Sequence, residues 1–309
     1  MIQNSSRRKF LKTSSGFIAS AILFASFTSK KYSPLLSFST LGCPDWSFDE
    51  IVNFAAENKY DGIEFRGIKR ELDLTKCEAF NSDNNIKASL KKLNDKNLKV
   101  SDLGSSAELH HKDEGARQKN IEGAKQFIDL AQKLNCPNVR VFPNDIPDSQ
   151  TKEETITLIV SALKELGDYA SAKNIYVLME THGKIVYTAD LLNIMQQTNH
   201  PHVGLVWDAY NMWSVTKEPP AQVYASLKNY IRHAHIKDAK EINGKEEYVL
   251  LGEGTSPIFE AVDLLAKNNY TGYYSFEWEK LWHPEIGDSA VAIADYPKKM
   301  RAHFKTMNL

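Results

Sequence analysis

Beyond residue 34, short apolar runs alternate with longer segments in which apolar residues recur every three or four positions. The short runs predict strands, at 35–42, 62–67, 98–105, 138–143, 175–180, 203–209, 231–239 and 273–279. The longer segments predict helices, at 48–59, 85–97, 115–135, 152–173, 188–198 and 256–269. Ser47, Thr151 and Thr188 stand where N-caps are expected.

Eight strand–helix units follow one another, and the strand runs are apolar on both faces. Such strands are typical of a parallel sheet that helices cover. The pattern predicts an α/β fold, a single (β/α)8 TIM barrel over residues 33–309. A doubly wound sheet would need a glycine-rich phosphate loop after its first strand, and residues 43–46 (CPDW) do not supply one.

The segment before the barrel, residues 1–32, has a different composition. SRRKFLK at 6–12 precedes the apolar run GFIASAILFASF at 16–27. This resembles the twin-arginine (Tat) signal of exported bacterial proteins, and a basic amphipathic helix is the alternative. The resemblance implies that the Tat machinery exports the folded protein to the periplasm. Because no clear cleavage site follows, an uncleaved signal would leave the protein anchored in the membrane.

Composition narrows the function classes. Hydrophobic residues make up 42% of the chain and charged residues 25%, which excludes a disordered or multi-spanning membrane protein. Residues 1–31 hold six basic residues and no acid, so the remainder has 32 basic against 39 acidic residues. This acidic body argues against a nucleic-acid partner. Three widely spaced cysteines support neither a disulfide framework nor a thiolate zinc site.

Four successive predicted strands end in metal-ligand residues: Glu180, Asp208, His235 and Glu277. The carboxyl ends of barrel strands meet at one rim, so these side chains are expected to converge there. Three buried carboxylates with one imidazole would carry uncompensated negative charge without a cation. The sequence therefore predicts one divalent metal ion; this ligand set favours Mn²⁺ and also allows Mg²⁺, Co²⁺ or Zn²⁺.

These residues resemble the sugar isomerase/epimerase superfamily, whose members have a xylose isomerase-like TIM barrel. The family's metal set of Glu, Asp, His and Glu on strands five to eight matches the four residues above. The string H-x-H-x-K-D from His233 to Asp238 is the most specific local match, and GIEFR at 62–66 is similar to the family's second strand. The resemblance covers roughly residues 35–300. It implies a small carbohydrate substrate, and it is compatible with a homo-oligomer.

Further candidates follow from alternation along the strands, because His182 shares a face with Glu180, and Lys237 with His235. Either side chain could stabilise an enolate or serve only as a structural hydrogen-bonding group. Glu64 and Arg66 could contact substrate or form a buried ion pair. The other candidates for substrate contact are polar or aromatic residues in or near the loops at the predicted rim: Trp46, His110, Asn211, Trp213, His233, Glu279, Trp282 and His283.

The resemblance to epimerases implies that Glu180 and Glu277 are both metal ligands and the acid/base pair. Removing the proton beside a ketone would give an enediolate, and returning it would isomerise or epimerise a keto sugar. The alternative is elimination by a 3-keto-glycoside lyase or keto-polyol dehydratase, with His233, Glu279 or His283 as the acid. A non-catalytic sugar-binding module is disfavoured because all four ligands are present, and a nuclease because the body is acidic.

Overall fold

The structure is a computed structural model that describes residues Tyr32–Met307, so the predicted export signal lies outside the described residues. Its strands are β1 (Leu35–Phe38), β2 (Gly62–Phe65), β3 (Lys99–Glu108), β4 (Asn138–Phe142), β5 (Tyr176–Glu180), β6 (Val203–Asp208), β7 (Ile231–Ile236), β8 (Asp238–Ile242), β9 (Lys245–Val249) and β10 (Tyr273–Phe276). Eight of them form one parallel sheet in the order β1-β10-β7-β6-β5-β4-β3-β2. The (β/α)8 barrel predicted from the sequence is confirmed.

The seam between β1 and β2 closes the barrel with few main-chain bonds. A parallel bridge joins Ser39 to Glu64. The Asp61 carboxylate accepts from the Leu36 amide at 2.9 Å. The Thr40 hydroxyl accepts from the amides of Arg66 at 2.9 Å and Gly67 at 3.1 Å, and donates to the Gly67 carbonyl at 2.7 Å. The Thr40 side chain therefore supplies hydrogen bonds that main-chain groups of a paired strand would otherwise supply.

The helices cover the outside of the barrel, and their bounds are α1 (Phe48–Glu57), α2 (Asp83–Asp95), α3 (Glu114–Lys133), α4 (Lys152–Ser171), α5 (Thr188–Thr198), α6 (Ala209–Thr216), α7 (Pro220–Leu227), α8 (Ile258–Lys267) and α9 (Ser289–Thr306). Ser47 and Thr151 each form a capping box, as predicted. The prediction for Thr188 is wrong, because Tyr187 is the N-cap and the Thr188 hydroxyl donates to Glu218 at 2.9 Å. Within residues 32–307, no helix has the length and apolarity to cross a membrane.

The core lies between the sheet and the helices. Ile121, Ala124, Ile128 and Ala131 form the predicted apolar stripe of α3, and all four are buried. Inside the barrel the packing is more polar, since Ser37, Glu64, Asp102 and His233 are fully buried there. These polar residues lie in the same eight-stranded barrel as the predicted metal ligands, and His233 shares β7 with His235.

Three predicted strands extend well past the observed strands. The run 35–42 ends as β1 at Phe38, and residues Thr40–Gly42 form a 3-10 helix. The run 231–239 ends as β7 at Ile236, and a β8–β9 hairpin begins at Asp238. The Asp238 carboxylate causes this break, because it accepts from the amides of Gly252 and Gly254 and from the Ser256 hydroxyl. The run 273–279 ends as β10 at Phe276, so Glu277 lies just beyond the strand.

Replacing Thr40 with valine should destabilise the barrel. Valine has the same shape but leaves two buried amides without a partner, at a cost of about 1–3 kcal/mol each. We expect urea unfolding to show a loss of roughly 2–5 kcal/mol for Thr40→Val and a clearly smaller loss for Thr40→Ser, which keeps the hydroxyl. Equal stability of the two variants would contradict this account of the seam.

Candidate active site

The four predicted ligands come together at the carboxyl end of the barrel. One ligand atom from each of Glu180, Asp208, His235 and Glu277 lies within 4.8 Å of all the others, and all four residues are buried. The His235 Nδ1 atom is 3.3 Å from Glu277 Oε1, 3.6 Å from Glu180 Oε1 and 4.0 Å from Asp208 Oδ2. The spacing leaves room for one ion between them.

Strand register explains this convergence. Asp208 in β6 is the register partner of His235 in β7, and His235 is the partner of Ser275 in β10. Partners in a parallel ladder face the same side of the sheet, and Glu277 lies two residues beyond Ser275. A periodicity of two therefore directs the ligands to the same side of three neighbouring strands.

Glu64 in β2 orients the imidazole of His235. Its Oε2 atom lies 3.1 Å from His235 Nε2 and 2.9 Å from His233 Nε2, and accepts from the Ser275 hydroxyl at 2.7 Å. This leaves His235 Nδ1 facing the other ligands, as in sites where a carboxylate fixes a metal-bound histidine. Within residues 32–307, Glu64 does not form the ion pair with Arg66 considered from the sequence.

Two buried cations hold the ligand carboxylates in place. Arg140 Nε lies 3.1 Å from Glu180 Oε2. Lys237 Nζ lies 2.7 Å from Glu277 Oε2 and 2.9 Å from Asp208 Oδ2, and it also contacts Glu279 Oε1 at 2.6 Å. Each side chain therefore offsets charge that would otherwise be costly to bury.

The protonation states follow from this packing. Burial acts to raise the pKa of Glu180, but Arg140 and His235 outweigh it and hold the pKa below its usual value. Burial is likewise outweighed at Glu277, whose pKa is well below normal because of His235 and Lys237. Burial dominates at Glu279 and raises its pKa. The two ligand glutamates are therefore ionised, while Glu279 holds a proton more readily.

The unsatisfied atoms fit a divalent cation. His235 Nδ1 is buried and has no hydrogen-bond partner among the described residues. Asp208 Oδ2 and Glu180 Oε2 are also buried, and they form ion pairs with Lys237 and Arg140 that lack hydrogen-bond geometry. The other Asp208 oxygen caps α6 by accepting from the Asn211 amide at 2.7 Å. Carboxylate oxygens with one imidazole are suitable ligands for Mn²⁺, Mg²⁺, Co²⁺ or Zn²⁺.

A cavity of about 360 Å³ opens beside the ligands. Its walls combine charged, aromatic and aliphatic side chains: Leu41, Arg66, Leu72, Ser106, Glu108, Arg140, Phe142, Glu180, His182, Glu277, Glu279 and Trp282. Of the residues proposed from the sequence for catalysis or substrate contact, His182, Arg66, Glu279 and Trp282 share this wall with Glu180 and Glu277. His233 and Glu64 instead lie inside the barrel, fully buried.

The remaining candidates lie apart from the cavity wall. The ring of Trp46 packs against Phe54 of α1, with centroids 4.7 Å apart. The Trp213 ring is covered by the Lys217 ammonium at 3.8 Å. Neither ring belongs to the lining of this cavity, so their predicted contact with substrate has no counterpart there.

Three polar candidates are also outside the lining. Asn211 lies in the first turn of α6, and His110 is buried beside His111 with ring centroids 4.2 Å apart. The ring of His283 faces Tyr248 with centroids 5.1 Å apart.

Sequence reasoning missed Arg140, Glu108 and Asn144. An arginine within the apolar strand NVRVF was a usable signal for Arg140, because a buried guanidinium needs an anion. The Asn144 amide oxygen accepts from His182 Nδ1 at 2.8 Å, and its amide nitrogen donates to Glu108 Oε1 at 2.6 Å. No local pattern reveals this chain, since its members follow three different strands.

Comparison with known proteins identifies the fold family. The family model described as xylose isomerase-like TIM barrel matches residues 52–299. The chain belongs to this family. Within or near it, a 3-dehydroshikimate dehydratase of Bacillus anthracis is 23% identical over 254 residues, which is 75% of this chain and 85% of that protein.

A second relative is the L-ribulose-5-phosphate 3-epimerase UlaE of Salmonella heidelberg. It is 23% identical over 203 residues, 65% of this chain and 69% of the epimerase. The crystal structure of the probable 3-DHS dehydratase AsbF from Bacillus anthracis superposes with a TM-score of 0.71 at 19% identity. That match covers 86% of this chain and 98% of the other, and it shows the fold.

Replacing both ligand glutamates should abolish tight metal binding. We expect wild-type protein to bind one Mn²⁺ by calorimetry, and the Glu180→Gln/Glu277→Gln double variant to lose stoichiometric binding, because two of the three charged ligands become neutral. Mn²⁺ at 100 times its Kd should also stabilise the wild type by about 2.7 kcal/mol. Glu122→Gln on exposed α3 is the control; equally tight binding by the double variant would refute the site.

Proposed function

We propose that this protein is a divalent-metal-dependent enzyme that abstracts the proton beside a ketone in a small carbohydrate or related hydroxy-ketone, through an enediolate. One observation carries the proposal: Glu180 and Glu277 belong to the metal-ligand cluster and also line the cavity. A carboxylate in that position is available both to hold the ion and to reach a proton on a bound substrate.

Within this proposal, a bound divalent cation supplies a Lewis acid that stabilises negative charge developing on the substrate oxygen. Glu180 and Glu277 collect and return the proton. Their pKa values lie below the ordinary range, since Arg140 and Lys237 respectively favour the ionised form. Glu180 ends β5 and Glu277 follows β10, and β6 and β7 lie between these strands in the sheet. Exchange of a proton between two faces of one carbon requires two such separate groups.

Lys237 and His182 are assigned supporting roles. The Lys237 ammonium fixes Glu277 and Glu279 at 2.7 and 2.6 Å, and a positive charge there stabilises a developing enolate oxygen. His182 lines the cavity, while its Nδ1 is engaged with Asn144 at 2.8 Å. Burial lowers the pKa of His182, so a neutral imidazole faces the substrate and is suited to a hydroxyl group.

Returning the proton to carbon makes the enzyme an isomerase or epimerase of a keto sugar, and this remains the main proposal. Elimination is the second candidate, as a 3-keto-glycoside lyase or keto-polyol dehydratase. Glu279 favours it, because this cavity residue retains its proton more readily than an exposed glutamate and could protonate a leaving group. The relative named as a 3-dehydroshikimate dehydratase and the relative named as a 3-epimerase support one outcome each.

Mn²⁺ is the proposed cofactor. The ligand set has three carboxylates and one imidazole, and no thiolate, which suits a hard to intermediate cation with open positions for substrate oxygens. The choice between Mn²⁺, Mg²⁺, Co²⁺ and Zn²⁺ requires metal analysis of the purified protein.

Proton abstraction should appear as solvent exchange. In D₂O, Mn²⁺-loaded protein incubated with free ketoses and 3-keto-glycosides should incorporate deuterium beside the ketone; a lyase would also release the aglycone. Glu277→Gln, assayed at saturating Mn²⁺, should slow exchange by about 10²- to 10⁴-fold because a general base is lost. NMR measures both. Turnover with neither solvent exchange nor a primary isotope effect, where chemistry limits the rate, would instead indicate hydride shift or hydrolysis.

Residues 1 to about 30 are proposed to direct Tat export to the periplasm. The support is the string SRRKFLK followed by a moderate apolar run. Replacing Arg7 and Arg8 with lysine should leave the protein in the cytoplasm, as measured by fractionation, whereas Lys30→Arg/Lys31→Arg should be exported normally. Unimpaired export of the twin-lysine variant would count against the proposal.

A further inference from the structure

Arg66 is a buried cation on the cavity wall without an acidic partner. It is 5% exposed, and its Nη2 atom donates to the Ser106 hydroxyl at 3.0 Å. The Nη1 atom is buried and has no hydrogen-bond partner among residues 32–307. A guanidinium offers five donors in a planar fork, so most of its bonding capacity is unused here.

The other cations of the site are already matched. Arg140 pairs with Glu180 at 3.1 Å and donates to the Ser105 carbonyl at 2.8 Å. Lys237 contacts Asp208, Glu277 and Glu279 within 2.9 Å. No carboxylate of the described residues lies within salt-bridge distance of Arg66. Among residues 32–307, Arg66 is therefore the cation of this cavity that lacks a salt bridge, although Glu180, Glu277 and Glu64 favour its charged form from a longer distance.

The fold leaves space for the Arg66 guanidinium, which has no salt bridge within residues 32–307. A Cβ atom on Gly104 of β3 would come within 2.8 Å of Arg66 Cδ and 2.9 Å of Arg140 Nη2. Thr40 holds the Arg66 amide at 2.9 Å, so the seam also fixes the backbone from which the side chain extends. Burial and the neighbouring Arg140 lower the pKa of Arg66 to about 9, which reflects the cost of keeping it charged there.

We infer that Arg66 is an anion-binding residue and that the substrate carries an acidic group, a carboxylate or a phosphate, in addition to its ketone. The inference rests on the proposed function, because the ketone end is assigned to the metal-ligand side of the same cavity. Arg66 and the ligands Glu180 and Glu277 line one space of about 360 Å³, so a small hydroxy-keto acid can contact both ends. An anion there forms charge-assisted hydrogen bonds with an otherwise unpaired guanidinium.

Three matched ligands test for an anion preference. D-fructuronate carries a carboxylate, D-fructose 6-phosphate carries a phosphate, and D-fructose is neutral. All three have the same ketone and differ at carbon six. Calorimetry on full-length Mn²⁺-loaded protein should give roughly 10- to 100-fold tighter binding of one anion than of D-fructose. Preference for fructuronate assigns a carboxylate substrate, and preference for the 6-phosphate assigns a phosphate.

Variants test whether Arg66 causes the preference. Arg66→Gln should abolish it while leaving the affinity for D-fructose within about twofold, and Arg66→Lys should retain part of it because the charge remains. Gly104→Ala should reduce it by displacing the guanidinium. Arg232→Gln, which removes the same charge from an exposed position near the start of β7, is the control and should behave as wild type.

Equal affinity for the three ligands, no measurable binding of any of them, or a preference that survives Arg66→Gln would overturn the inference. Stoichiometric Mn²⁺ binding by Arg66→Gln must persist, which shows that the site is folded. The proposed function is judged separately by solvent deuterium exchange. Exchange with neutral ketoses alongside absent anion preference would reject the anion site and keep the proton abstraction.

Discussion

The hydrogen bond between Glu64 and His235 sets the direction of the site. Glu64 comes from β2, whereas the ligand histidine comes from β7, so the bond crosses the barrel interior at 3.1 Å. It commits Nε2 and leaves Nδ1 facing Glu180, Asp208 and Glu277. The same carboxylate also binds His233 of β7 and Ser275 of β10, so its position is fixed from two strands besides its own. The site therefore depends on barrel closure rather than on any one loop.

Charge compensation is the second constraint. Four carboxylates, those of Glu180, Asp208, Glu277 and Glu279, are buried at one end of the barrel. Arg140 and Lys237 offset part of this charge, and a divalent ion would offset more. This arrangement favours ionised bases next to a cation, which is the electrostatic requirement for removing a weakly acidic C–H proton. Under the inference drawn above, Arg66 extends this charge compensation to the substrate, since it has no salt bridge within residues 32–307.

The sequence predicted the eight strands and the convergence of Glu180, Asp208, His235 and Glu277, because both depend on local signals. Side chains alternate along a strand with a period of two, which put Glu180, Asp208 and His235 on the same face of the sheet. Their places at the strand ends put them at the same end of the barrel. The sequence could not reveal the Lys237–Glu279 contact or the His182–Asn144–Glu108 chain, since these join loops after different strands. Likewise, Glu64 and Arg66 are two residues apart and looked like a pair, but β2 brings Glu64 to His235 and Arg66 to Ser106.

The β8–β9 hairpin starts one residue after Lys237, and its base is tied to the following loop by three bonds to the Asp238 carboxylate. These bonds hold the base of the hairpin in place, so that a change at its exposed end does not move the Lys237 ammonium. Insertions or deletions between Lys240 and Tyr248 would therefore leave Lys237 in place. Over evolution, such a segment can change length and sequence, and with them the shape of the rim, while the chemistry beneath stays constant.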